Sequence, residues 1–202
     1  MGKKNIMALL AATLIGMSAQ AAELTTGAAA PEFELTDTKG VEHSLSDFKG
    51  KFVVLEWINH GCPFVVKHYS SGNMQALQKE FTEKDVIWLS ICSSAEGKQG
   101  YMSNEEWNAT VAEKGAAPTA VLVDEDGTVG KAYNARTTPH MYVINPEGNL
   151  IYQGAIDDKK STDVEDIATS ENYVRSALNA AMAGEPVAKA QTQAYGCSVK
   201  YK

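Results

Sequence analysis

Phe52-Val53-Val54-Leu55-Glu56-Trp57-Ile58 is followed, after Asn59, by His60-Gly61-Cys62-Pro63. A near-continuous apolar run of that length suits a central strand covered on both faces. Proline fits the first turn of a helix, where its missing N–H costs nothing. The spacing therefore predicts a buried strand over 52–58, and a helix over 64–84 with Met74, Leu77 and Phe81 on one side and an interruption near Gly72-Asn73.

Outward from this unit, strands and helices alternate. Phe33 and Leu35 alternate with polar residues before the turn Thr38-Lys39-Gly40, which predicts an N-terminal edge hairpin. A strand over 86–91 ends on Cys92, and Asn104 caps a helix reaching 114, with Glu105 and Glu106 in its first turn. Residues 120–123 form a further strand, a short helix covers 129–133, and 141–144 and 150–152 pair across Asn145-Pro146-Glu147-Gly148. A last helix over 172–182 lines up Val174, Leu178 and Met182, and the residues after Gly184 show no periodicity. This order specifies an α/β fold, a mixed central sheet flanked by helices, with a C-terminal tail.

In an open α/β sheet, functional groups gather at the carboxyl ends of the strands. Cys62 belongs there, at a helix start whose free N–H groups and dipole favour a thiolate. A buried, inert cysteine is the alternative, but Gly61 and Pro63 shape a turn rather than fill a core. Glu56 interrupts the apolar strand. A buried carboxylate is expensive, and burial would raise its pKa until it could exchange protons with a thiol near neutral pH. An edge position or a lysine partner is the other reading. At Thr137-Thr138-Pro139, a proline directly before a strand asks for a special backbone. With a cis bond, Thr138 would present its backbone to an incoming peptide or disulfide.

The 202 residues begin with Lys3 and Lys4, an apolar run over 6–17 broken by Thr13 and Gly16, and Ala19-Gln20-Ala21. That pattern predicts a signal segment over 1–21 cleaved after Ala21, a domain over 22–184 and a tail over 185–202. The expectation is an exported protein, periplasmic or otherwise outside the cytoplasm, without stable membrane insertion, since the run is short for a span. The net charge of −7 argues against nucleic acid as a partner. Three cysteines, Cys62, Cys92 and Cys197, leave at least one unpaired in a monomer, and no CxxC pairs suggest zinc.

The segments Ala30-Pro31-Glu32-Phe33-Glu34-Leu35-Thr36-Asp37, Lys49-Gly50-Lys51-Phe52-Val53-Val54-Leu55, Gly61-Cys62-Pro63-Phe64-Val65 and Thr138-Pro139 resemble the redoxin group. This group of the thioredoxin superfamily holds the peroxiredoxins and the alkyl hydroperoxide reductase and thiol-specific antioxidant proteins. The likeness continues through Ile156-Asp157-Asp158 to Gly196-Cys197-Ser198-Val199-Lys200-Tyr201 and is greatest to exported, peroxiredoxin-like members. It implies a thioredoxin fold, a cis Pro139 beside Cys62 and thiol redox chemistry, with Glu56 where thioredoxins carry a buried acid. Two departures stand out. Val65 occupies the place of the second cysteine of a thioredoxin, and Leu55 and Asn59 replace the proline and hydroxyl residue that precede a peroxidatic cysteine.

The reading is thus a thiol-disulfide oxidoreductase or peroxiredoxin-like antioxidant that uses Cys62 as nucleophile and needs no cofactor or metal. Its partners would be an external dithiol reductant or a protein disulfide. A second thiol should resolve oxidised Cys62: Cys197, preferred because Gly196 permits close approach and the tail could fold back or reach the other subunit of a homodimer, or the more passive Cys92. A copper site of His60, Cys62 and His140 is the rival function, and a peptide-holding domain beside Pro139 is a third. His43 and His68 read as surface groups, and Arg136 as a solvated arginine.

Overall fold

The computed structural model describes residues 24–202. The signal segment predicted over 1–21 lies outside the described residues. Among the described residues, no helix is long and apolar enough to cross a membrane.

The chain opens with the hairpin β1 (Glu34–Thr36) and β2 (Glu42–Ser44). The run around Glu56 then forms β3 (Val53–Trp57), buried at every position. Helix α1 (Pro63–Ser70) follows Cys62, and Gly72 in a left-handed conformation (φ 74°) separates it from α2 (Asn73–Thr82). The helix expected over 64–84 is thus divided in two at the interruption expected near Gly72-Asn73, where glycine enters the left-handed region without strain.

Next come β4 (Ile87–Cys92), α3 (Asn104–Lys114), β5 (Ala120–Val123), α4 (Thr128–Ala132), β6 (Thr137–Thr138), β7 (His140–Ile144), β8 (Leu150–Gly154), α5 (Tyr173–Met182) and β9 (Cys197–Ser198). Ser103 rather than Asn104 caps α3. Its hydroxyl accepts from Glu106 N at 3.2 Å and the Glu106 carboxylate accepts from Ser103 N at 2.8 Å, a reciprocal capping box.

The main sheet runs β5-β4-β3-β7-β8, with β3, β4 and β5 parallel and β7 and β8 antiparallel to their neighbours. Strand alternation divides the core in two. Val53, Leu55 and Trp57 join Leu89, Ile91, Leu122, Tyr133 and Tyr142 on one face. Val54 and Ile58 join Cys62, Val65, Leu77, Phe81, Trp88 and Leu178 on the other. The stripe of α5 is Val174, Ala177 and Leu178; Met182, expected to extend it, is 40% exposed at the end of the helix.

The tail has a packing role that its lack of periodicity concealed. Strand β9 pairs antiparallel with β6, Thr138 opposite Cys197. Tyr195 is buried, Val199 N donates to Arg136 O at 3.0 Å, and Ala95 N donates to Lys200 O at 2.9 Å. Tyr201 OH donates to Ala135 O at 2.7 Å. These anchors are long-range and residue-specific, so no local period records them.

Candidate active site

Cys62 is the N-cap residue of α1 and Pro63 is its first helical residue. Asn59 builds the turn that delivers it. Its Oδ1 accepts from Gly61 N at 2.8 Å, its Nδ2 donates to Gln99 O at 3.2 Å, and its carbonyl accepts from Cys62 N at 2.9 Å. Gln99 Nε2 closes the loop on Gly61 O at 2.9 Å. The side chain standing where a peroxidatic site keeps a hydroxyl is thus engaged in holding the backbone.

The structure brings Cys62, Thr138, Pro139 and Cys197 together. The Cys62 thiol donates to Thr138 O at 3.0 Å, and its sulfur accepts from Cys197 N at 3.4 Å. The Thr138–Pro139 bond is cis. Gly196 has φ 136°, and a Cβ there would lie 2.0 Å from Thr138 O, so only glycine lets the tail approach this closely. All three cysteines are free thiols.

Burial works to push the Cys62 thiol up. Hydrogen bonds from the Cys197 side chain and backbone and from Val65 N–H in the first helical turn, with the polar Thr138 side chain beside them, outweigh it, and the thiol ends below its ordinary value. Thr138 Oγ1 is buried and has no hydrogen-bond partner. Cys197 moves the other way, up to about 11, through burial and through its bond to the Cys62 sulfur and that sulfur's charge. Cys92 is also pushed up by burial, and its sulfur donates to Gly100 O at 3.5 Å.

Glu56 is fully buried, as its sequence setting implied, but its partners are not thiols. Tyr69 OH donates to it at 2.9 Å, Trp88 Nε1 at 2.9 Å, Ser90 Oγ at 3.0 Å and Gln78 Nε2 at 3.2 Å. Burial raises its pKa against these four donors. Its hydrogen bonds go to the helices and strands behind the site, and none reaches Cys62.

His60, Cys62 and His140 do not form a metal site. Among the described residues no three His, Cys, Asp or Glu side chains are grouped to hold an ion. His60 instead packs edge-on against Tyr69 with ring centroids 4.7 Å apart, and His140 Nδ1 lies 3.0 Å from Tyr142 OH. Burial pushes both imidazoles down to about 4. The copper reading falls with this arrangement.

His68, read as a surface group, is fully buried on α1 and belongs to a cluster that sequence reasoning missed. Lys67 Nζ lies 3.6 Å, and His68 Nε2 3.8 Å, from Asp157 Oδ2; all three side chains are buried. Tyr195 OH donates to Asp157 Oδ1, which also accepts from Lys159 N at 3.0 Å. The Asp157 carboxylate therefore ties the helix headed by Cys62 to the strand carrying Cys197. No local pattern marks this cluster, since Lys67-His68 within a helix reads as an ordinary charged surface pair. His43, half-buried, pairs with Asp37 at 3.1 Å, and Arg136 is exposed as expected.

A profile of the AhpC/TSA family matches residues 26–153, a span that holds Cys62, Glu56, Thr138 and Pro139 but not Cys197. The thiol-disulfide oxidoreductase ResA of Bacillus subtilis is 26% identical over 135 residues, covering 63% of this chain and 66% of ResA. The crystal structure of an uncharacterized conserved protein from Geobacillus kaustophilus superposes with a TM-score of 0.76 at 30% identity, over 90% of this chain and 94% of that one. The thioredoxin domain of a thiol-disulfide oxidoreductase from Bacteroides vulgatus shares the fold, with a TM-score of 0.52 at 23% identity over 73% of this chain and 97% of that one.

Proposed function

The chain belongs to the AhpC/TSA family, within the thioredoxin superfamily, and on that premise we propose that it is a thiol-disulfide oxidoreductase whose working couple is Cys62 and Cys197. The observation that carries this reading is the Cys197 N–H on the Cys62 sulfur at 3.4 Å, between two free thiols. In the reduced protein the Cys62 thiolate is the nucleophile, favoured by the helix start and by Cys197. In the oxidised protein a Cys62–Cys197 disulfide carries the two electrons' worth of oxidation. It passes them between an external dithiol reductant and a protein disulfide.

Thr138 and Pro139 shape the wall against which the sulfur sits, and Glu56 acts from behind as a buried acid rather than by touching the thiol. The couple is complete within one chain, so a homodimer is not required for it. Efficient peroxide reduction is not part of this reading, because Asn59 is committed to Gly61 and Gln99. The basic start, apolar run and Ala19-Gln20-Ala21 of the sequence support export to the periplasm or beyond the cytoplasm.

Peptide mapping after equilibration with glutathione disulfide tests the proposal. The expected product is a Cys62–Cys197 link with Cys92 unmodified. Recovery of Cys62 as an unmodified thiol rejects it.

A further inference from the structure

Cys62 is 0% exposed, although it is the nucleophile of the proposed couple. What covers it includes the chain's own C-terminal segment. Gly196 closes on Thr138 O, and β9 lies along β6, held by Tyr195 on one side of Cys197 and by Val199, Lys200 and Tyr201 on the other. Cys197 itself is only half-buried, and its neighbour Ser198 is exposed.

Thiol–disulfide exchange is an in-line displacement. The attacking sulfur must approach its target from the side opposite the sulfur that leaves. An attack on Cys62 would have to reach a residue with no exposed surface, in the same buried cluster as Val65 and Ile58. An attack on Cys197 meets a residue that is only half-buried, beside the exposed Ser198.

Resting on the Cys62–Cys197 couple proposed above, we infer that an external thiol enters the reaction at the Cys197 sulfur, so that Cys197, not Cys62, carries the mixed disulfide with the partner. In the first step the partner thiolate forms a bond to the Cys197 sulfur, the Cys62–Cys197 bond breaks, and Cys62 leaves as a thiolate. In the second step the other thiol of a dithiol partner, as its thiolate, attacks the partner sulfur of that mixed disulfide. The partner is released oxidised, and Cys197 takes up a proton. The order of the two thiols fits this direction, since the more acidic sulfur, Cys62, is the better leaving group.

The full chain, oxidised to its intramolecular disulfide, is mixed with excess reduced glutathione, quenched rapidly in acid, treated with a thiol-blocking reagent that works in acid, and mapped. The expected result is glutathione on Cys197 and a blocked free thiol at Cys62, with at least about tenfold less of the opposite adduct, a kinetic preference of about 1.4 kcal/mol. Glutathione on Cys62, or an even division, overturns the inference while leaving the couple intact. Absence of any Cys62–Cys197 disulfide in the oxidised starting protein overturns the couple and the inference with it, and is seen before glutathione is added. Cys92→Ala in the same protocol separates any adduct on the third thiol from the two that matter, and should leave the Cys197 preference unchanged.

Discussion

Cys62 and Cys92 stand at the same end of neighbouring parallel strands, the first five residues beyond Trp57 of β3 and the second closing β4, whose Ile91 pairs with that Trp57. Both are buried. Yet one thiol lies below its ordinary value and the other above it. Around Cys62, a helix begins at the next residue and a returning strand adds N–H and S–H donors. Around Cys92, no helix begins until Asn104, the sulfur donates to a carbonyl, and the hydrogen bonds Ser94 offers do not outweigh burial. A strand end places a sulfur at the functional edge of the sheet, whereas the donors offered to it decide whether a charge is tolerated there.

Exchanging the two cysteines in turn gives the largest effect. Cys62→Ser is expected to abolish dithiothreitol-dependent disulfide reduction, and Cys92→Ala to leave its rate unchanged; loss of activity in Cys92→Ala would reverse the assignment. The second effect concerns the strand that only Cys62 has beside it. Asp157→Ala leaves Lys67 buried without its counter-charge, which should cost about 3–5 kcal/mol in denaturant unfolding. If the midpoint hardly moves, the cluster is not what fastens the Cys197 segment.

Glu56→Gln comes next and acts through pH. The folded-state pKa of Glu56 is raised, so the wild type is favoured while the acid stays protonated in the fold and loses stability as pH rises from its ordinary value of 4.5 through the raised one. The glutamine variant has no such proton to lose. Its stability relative to wild type should therefore improve with rising pH across that window, by at most about 1.4 kcal/mol per pH unit. Parallel stability curves would show that the Glu56 pKa is the same in the folded and unfolded chain and is not raised. The smallest effect sharpens the contrast between the thiols. Cys197→Ala removes the S–H donor but keeps the N–H of residue 197 and Val65 N–H, so thiolate absorbance should report Cys62 titrating higher than in wild type and still below Cys92.

Much of this arrangement was legible beforehand because it rests on local patterns. The apolar run around Glu56 and the Gly61-Cys62-Pro63 turn announce a buried strand, a helix start and a thiol between them, and the central sheet, α3 and α5 follow from the same periodicities. What stayed hidden is long-range. Lys67 and His68 sit in a helix like any charged surface pair, and only the return of Asp157 and Tyr195 makes them interior. The donors to Glu56 come from α1, α2 and β4, and no spacing within β3 foretells them. The tail offers no period because each of its anchors meets a different element. Gly196 was visible beside Cys197, but the carbonyl it makes room for belongs to Thr138.

Cys62 and Cys197 lie 135 residues apart along the chain. A bond between them would encircle most of the folded body, where the two cysteines of a CxxC ring only a single turn. In the chain-entropy account, a ring of that size withholds from the unfolded ensemble freedom equivalent to about 5 kcal/mol, against about 2 kcal/mol for a ring of a few residues. That is a large part of the roughly 5–15 kcal/mol by which domains are stable at all. For this chain, giving up its two electrons would also mean becoming harder to unfold. The redox poise of its surroundings would then govern how long the molecule lasts as well as what it reacts with.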